Sequence, residues 1–149
     1  MRPEGIKMKG HFDIKQYRGG KLIDHRDIDN LITTAGLAEV AKGLLTDTAS
    51  DEFDFIAVGT GVTAANAADT TLEAEIVDSG LARVASSGST AAGVATLTTT
   101  FTVTGTKAVT EAGVLNAGSN GDLLCHQVFS AVNVVNGDTL AVTWNVTFS

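Results

Sequence analysis

Two segments alternate so strictly that they leave little choice of fold. In "ATLTTTFTVTG" (95–105), Leu97, Phe101 and Val103 share one face, and Thr96, Thr98, Thr100, Thr102 and Thr104 take the other. In "TLAVTWNVTF" (139–148), Leu140, Val142, Trp144, Val146 and Phe148 alternate with Thr139, Thr143, Asn145 and Thr147. Side chains on a strand project alternately to opposite faces, so such a pattern marks antiparallel strands covered on one face only. A parallel sheet flanked by helices would instead give near-continuous apolar strands.

The composition agrees. Charged residues make up 18% and hydrophobic ones 44%, against a usual charged share of about a quarter. Thr and Val, which suit a pleated, half-buried surface, recur throughout. The length of 149 residues is that of one domain with one core. A single cysteine, Cys125, excludes an internal disulfide framework, so packing or neighbouring subunits must hold the fold.

Three zones follow along the chain. In residues 9–29, "KGHFDIKQYRGGKLIDHRDID", Phe12, Ile14 and Gln16 alternate with His11, Asp13 and Lys15, and an aliphatic-polar run follows Arg18-Gly19-Gly20-Lys21 through Ile28, which predicts a β-hairpin. Residues 1–28 are assigned to an extended N-terminal arm and 29–149 to a β-rich domain. In "NLITTAGLAEVAKGLL" the period changes: Leu37, Val40, Ala41, Leu44 and Leu45 fall at helical spacing, predicting a helix over 34–45 capped by Thr33 or Thr34. The rest reads as strand, including "EAGVL" and "LLCHQVF" joined by the turn "NAGSNGD", with a short helical turn near 69–76 and a flexible hairpin tip at 86–93. The expected fold is mainly β, an antiparallel sandwich or barrel-like domain with one amphipathic helix. Its expected core comprises Phe53, Phe55, Ile56, Val58, Leu97, Phe101, Val103, Val142, Trp144 and Val146, with Leu37, Val40 and Leu44 from the helix.

One stretch looks like chemistry. Gly59-Thr60-Gly61-Val62-Thr63-Ala64 follows an apolar strand and fits the G-x-G-x-x-G/A pattern of a pyrophosphate cradle, with Asp78 placed as a ribose partner. The segment after it, "VTAANAADTTLEAEI", lacks the aliphatic face that a crossover helix needs, and no further βαβ unit is on offer. The glycines are therefore read as a sharp turn from a strand into a crossing loop.

Other constellations are sparse. His11, His25 and His126 are dispersed, and Cys125-His126 lacks the second ligand pair of a zinc site; Cys125 is expected in the core and His126 at the rim. Asp47, Asp51, Glu52 and Asp54 lack calcium-loop spacing. Asn145-Val146-Thr147 fits a glycosylation sequon but falls on a predicted sheet. No catalytic set, cofactor or metal site is expected, and an enzyme is the weaker reading.

Charge is distributed unevenly. The net charge is −7, which argues against a general nucleic-acid binder. Yet residues 1–26 carry Arg2, Lys7, Lys9, Lys15, Arg18, Lys21 and Arg26 against Glu4, Asp13 and Asp24. Such a segment is either a solvated face or a contact surface for an acidic partner, and these seven cations are the candidate contact residues. No apolar run has the length of a membrane span, and the N-terminus "MRPEGIKMKG" lacks the apolar core of a secretory signal, so a protein made in the cytoplasm is expected.

Several blocks, in order and spacing, resemble small virion proteins of tailed bacteriophages over about residues 8–148: Asn30-Leu31 with Gly36, Val58-Gly59-Thr60-Gly61, Thr70-Leu72-Glu75, Glu111-Ala112-Gly113, Gln127-Val128-Phe129 and Gly137-Asp138. Similar segments occur in head decoration proteins and in tail-fibre or tail-tip proteins. The resemblance implies a structural role without substrate or cofactor. Within that resemblance, the one-domain length without heptads or a triple-stranded repeat, the cationic first 26 residues and the Thr-rich strand faces favour a homotrimeric decoration (cement) protein that seats on the major capsid protein at the outer surface of the expanded head. The alternative is a tail component that would meet a host receptor through loops 62–70, 86–93 or 116–122.

Overall fold

The computed structural model describes residues 7–42 and 52–148. Among these residues nine strands form one antiparallel sheet: β1 (Met8–Arg18), β2 (Lys21–Ile32), β3 (Phe55–Gly59), β4 (Val84–Ala85), β5 (Ser87–Ala91), β6 (Val94–Thr102), β7 (Lys107–Leu115), β8 (Leu123–Val134) and β9 (Thr139–Phe148). Among the described residues one helix, α1 (Thr34–Lys42), follows β2. The strand order is β4-β3-β7-β8-β2-β1-β9-β6-β5. Its two ends, β4 and β5, are separated in the chain by Ser86 alone. The sheet must therefore curl until its edges meet, and the fold is a nearly closed, barrel-like sheet. Ser86 pins the junction, donating from its amide and its hydroxyl to the Asp54 carbonyl at 2.6 and 2.7 Å.

The alternation predicted from sequence is realised in β1, β6 and β9. Phe12, Ile14, Leu97, Phe101, Leu140, Val142, Trp144 and Val146 fill the interior, and the Phe12 ring lies 4.6 Å from Trp144 between centroids. Trp144 donates its indole N–H to Asn30 Oδ1 at 2.7 Å. Gly10 stands opposite Asn30 in the β1–β2 ladder, and a Cβ on Gly10 would overlap the Asn30 side chain. The glycine makes room for the amide that satisfies the buried indole.

The N-terminal hairpin is no separate arm. β1 pairs along its length with β2 on one side and from Met8↔Phe148 to Tyr17↔Thr139 with β9 on the other. Phe12 and Ile14 are fully buried. The boundary drawn after residue 28 thus crosses the middle of the barrel wall. A bulge between Gln16 and Tyr17, where Ile23 is the extra residue on β2, shifts the hairpin register by one.

β3, β7 from Val109 onward and β8 over residues 123–126 are buried on both faces. Ile56, Val58, Ala112 and Val114 face the main core. The alternate residues Ala57, Leu115 and Leu123 form a second cluster with Leu72 from the crossing segment 60–83, and Phe55 packs against it. Helix α1 lies against β8. Thr33 caps it, accepting from the Gly36 amide at 3.0 Å. The helix packs through Gly36 and Glu39, whereas Leu37, expected in the core, is 48% exposed. A Cβ on Gly36 would lie 2.6 Å from Leu124 Cα; closeness of backbones, rather than an aliphatic stripe, decides which face turns inward. Val40 is partly buried, and Leu44 and Leu45 lie outside the described residues.

Two local expectations are corrected. The segment 69–76 contains bends and one bridge, Gly59↔Glu75, in place of a helical turn. The supposed flexible tip at 86–93 is β5 with the turn into β6, and all five β5 residues are exposed.

Between β2 and β8 the ladder is short, confined to Leu31↔His126 and Ile32↔Cys125. Beyond it, side chains from β2 and from β1 reach across to β8. Arg26 donates to the carbonyls of Ser130 and Ala131, and Gln16 donates to the Asn133 carbonyl at 2.7 Å. The edge of β2 over residues 21–30 that faces β8 has no strand laddered on it.

Candidate functional site

The glycine turn does bind an anion, and the anion is internal. Glu111 sits on β7 on the face away from the main core and is fully buried. Its Oε2 accepts from the amides of Gly61 (2.8 Å) and Ala74 (2.7 Å), and its Oε1 from the amide of Glu73 (2.9 Å) and from His126 Nε2 (2.8 Å). The amides of three neighbouring turn residues are also taken. Thr60 donates to the Ala74 carbonyl at 2.9 Å, and Val62 and Thr63 donate to Glu73 Oε1 at 2.7 and 3.1 Å. A phosphate would find the amides of residues 60–63 already taken. A Cβ on Gly61 would stand 2.3 Å from Glu111 Oε2, so the glycine is required for close approach to a carboxylate of the same chain. Asp78, placed as ribose partner, is ion-paired with Lys107 at 2.8 Å.

His126 completes the cluster. Expected at the rim, it is only 2% exposed, because the crossing segment covers the outer face of β8. Its Nδ1 meets Asp69 Oδ2 at 2.7 Å while Nε2 meets Glu111. Burial pushes the imidazole pKa down, but the bonds to Glu111 and Asp69 outweigh it and hold the value above its ordinary one. Burial pushes Glu111 up, and the donors from His126 and the amides of Ala74, Glu73 and Gly61 reverse this, leaving it below the usual range. With both ring nitrogens bonded to carboxylates, His126 offers no lone pair for general base work. A cleft of about 280 Å³ lies over the cluster, lined by Thr63, Asp69, Thr70, Glu73 and His126 among others.

Cys125, on the alternate face, is fully buried, and burial pushes its thiol up to about 12; it is a core residue, as expected, and unreactive. Glu52 and Asp54 lie ahead of β3; Asp47 and Asp51 are outside the described residues.

The candidate contact cations divide into two groups. Arg18 and Arg26 are already paired within the fold. Arg18 makes a two-point contact with Asp138 (2.8 and 2.9 Å), whose Oδ2 also accepts from Gln16 and from the Val135 amide. The guanidinium, against the cost of burial, holds the Asp138 carboxyl well below the usual range. Arg26 is bonded to Asp24 and to the carbonyls of β8. Lys7, Lys9 and Lys21 are exposed, Lys15 is half-buried, and Arg2 lies outside the described residues.

The chain matches no family model, no curated protein and no solved structure.

Sequence spacing also separated residues that the fold unites. His11 and His25, read as dispersed, share the outward face of the β1–β2 hairpin with Asp13, Asp27 and Asp29. His25 Nε2 is 2.6 Å from Asp13 Oδ2, and His11 bonds Asp27 through Nε2 and Asp29 through Nδ1. Among the described residues, no helix is long and apolar enough to cross a membrane.

Proposed function

We propose that this protein is a non-enzymatic virion component of a tailed bacteriophage: a capsid decoration protein that associates as a homotrimer and binds the major capsid protein on the outside of the expanded head. The observation that carries this reading is the open edge of β2. Among the described residues every buried side-chain nitrogen or oxygen has a hydrogen-bond partner, so the polar chemistry of the interior is spent on holding the fold. The edge of β2 over 21–30 is the contrast, a length of strand with no ladder on its β8 side. Unpaired strand edges are templates for pairing with another chain.

Its surroundings suit a protein partner. Leu22 and Ile23 at the hairpin tip are each 45% exposed. Lys15 and Lys21 add positive charge to a molecule that is otherwise acidic. A groove of about 520 Å³ opens where β2 and β8 diverge, lined by Asn30, Leu31, Val62, Ala64, Gln127 and Val128 among others. Binding only to the expanded shell would stabilise that state by mass action.

Truncation cannot test this reading, because β1 belongs to the core. The suitable variant is Leu22→Asp with Ile23→Asp, which changes exposed residues only. Co-sedimentation with expanded heads, and light scattering for the oligomer, should show the wild type bound as a trimer and the variant folded but unbound. Equal binding by both refutes the role of this edge. A copy number of a few per particle, in place of hundreds, would move the protein to the tail.

A further inference from the structure

The outward face of the β1–β2 hairpin carries two carboxylates placed directly opposite each other. Asp13 pairs with Asp27, flanked by His11↔Asp29 on one side and Lys15↔His25 on the other. Like charges at directly opposed positions destabilise a two-strand ladder, so this arrangement calls for a cation between them. Imidazoles supply the remaining polar groups: His25 Nε2 stands 2.6 Å from Asp13 Oδ2, and His11 Nε2 touches Asp27 Oδ1. One ligand atom from each of Asp13, His25 and Asp27 lies within 4.8 Å of the other two. Ligands of a tetrahedral zinc, at bonds of about 2.0–2.1 Å, stand about 3.3 Å apart. Closing the difference needs only small rotations of side chains that are 23% (Asp13), 39% (His25) and 55% (Asp27) exposed.

We propose that Asp13, His25 and Asp27 form a binding site for a divalent transition-metal ion of the zinc class. His11 acts as a positioning residue that holds the Asp27 carboxylate from its other side. The donor set decides the class of ion. Calcium and magnesium take oxygen ligands, whereas an imidazole with carboxylates suits zinc, cobalt or nickel. Three protein ligands on a solvent-facing ribbon leave a further position to water. Lys15, opposite His25 in the ladder, opposes a cation by its charge, so its removal should tighten the site.

The test is calorimetric titration of the untagged, chelator-treated full chain with zinc and with cobalt. The expected result is one saturable ion per chain, not displaced by excess magnesium, with cobalt giving visible absorption bands. His25→Ala and Asp27→Asn should each weaken binding at least about tenfold, His11→Ala about tenfold, and Lys15→Ala should strengthen it. These four residues lie at the surface, so the urea midpoint of the metal-free protein, read from Trp144 fluorescence, should stay close to that of the wild type and show that the variants fold. Absence of saturable binding overturns the proposal. So does binding that persists unchanged in the His25→Ala/Asp27→Asn double variant, which would put the ion elsewhere on the chain.

Discussion

Replacing Glu111 by glutamine is the most direct probe of the glycine turn. The side chains are nearly isosteric, so packing is preserved and only the chemistry changes. The carboxylate accepts four hydrogen bonds, two on each oxygen. Glutamine keeps one accepting oxygen and presents an NH2 group where the other stood, so two of the four donors lose their acceptor. Each buried donor left unpaired costs about 1–3 kcal/mol, so the variant should lose about 4 kcal/mol. At about 2–4 °C per kcal/mol for a chain of this size, Tm should fall by about 8–16 °C. The assay is urea unfolding followed by the fluorescence of Trp144, the only tryptophan and fully buried. A double-mutant cycle with His126→Gln should show strong coupling, because the two residues share a bond. A loss below about 1 kcal/mol would refute the claim that the turn is organised around this carboxylate. So would tight dinucleotide binding by the wild type.

Further outcomes follow from the same structure. His126 has a raised folded pKa, so its contribution is fully present below about pH 6.5 and is lost as pH rises through the folded value. Glu111 has a lowered one, so its contribution is present above about pH 4.3 and is lost on acidification. Urea midpoints measured against pH should therefore fall on both sides of this interval, and His126→Gln should flatten the alkaline limb. Gly36→Ala improves helix propensity but drives a Cβ to 2.6 Å from Leu124 Cα; a net loss of about 1–3 kcal/mol in urea titration is expected. Asp138→Asn should cost about 2 kcal/mol, because the Arg18, Gln16 and Val135 donors converge on its carboxylate. Deleting residues 7–28 removes Phe12 and Ile14 from the core and should abolish the far-UV and near-UV circular dichroism of the native state.

The strands that face water on one side were legible from the chain, because their period is written in Thr against Val, Leu, Phe and Trp. The Thr33 cap was legible for a similarly local reason. Glu111 was harder to read. A lone acid amid "AVTEAGVL" signals a buried carboxylate with partners, but those partners are backbone amides of residues 61, 73 and 74, which no side-chain motif announces. Leu37 misled because the helix is seated by a glycine. The His–Asp face depended on one residue. A two-residue turn at Gly19-Gly20 sets a register in which odd positions of β1 meet even positions of β2. The extra Ile23 moves it by one and brings His25, Asp27 and Asp29 to the side of His11 and Asp13. Nothing in the composition fixes where that bulge falls.

The pairing of Met8 with Phe148 has a consequence in time. β1 and β9, far apart in the chain, are neighbours in the finished wall, so the barrel cannot be sealed until β9 has been made, however early the hairpin forms. Until β9 emerges, the inner side of β1 has no lasting cover, and the nascent chain is at its most vulnerable to sticking to its siblings. Closure of the wall is thus a long-range step that waits on β9 rather than on the hairpin.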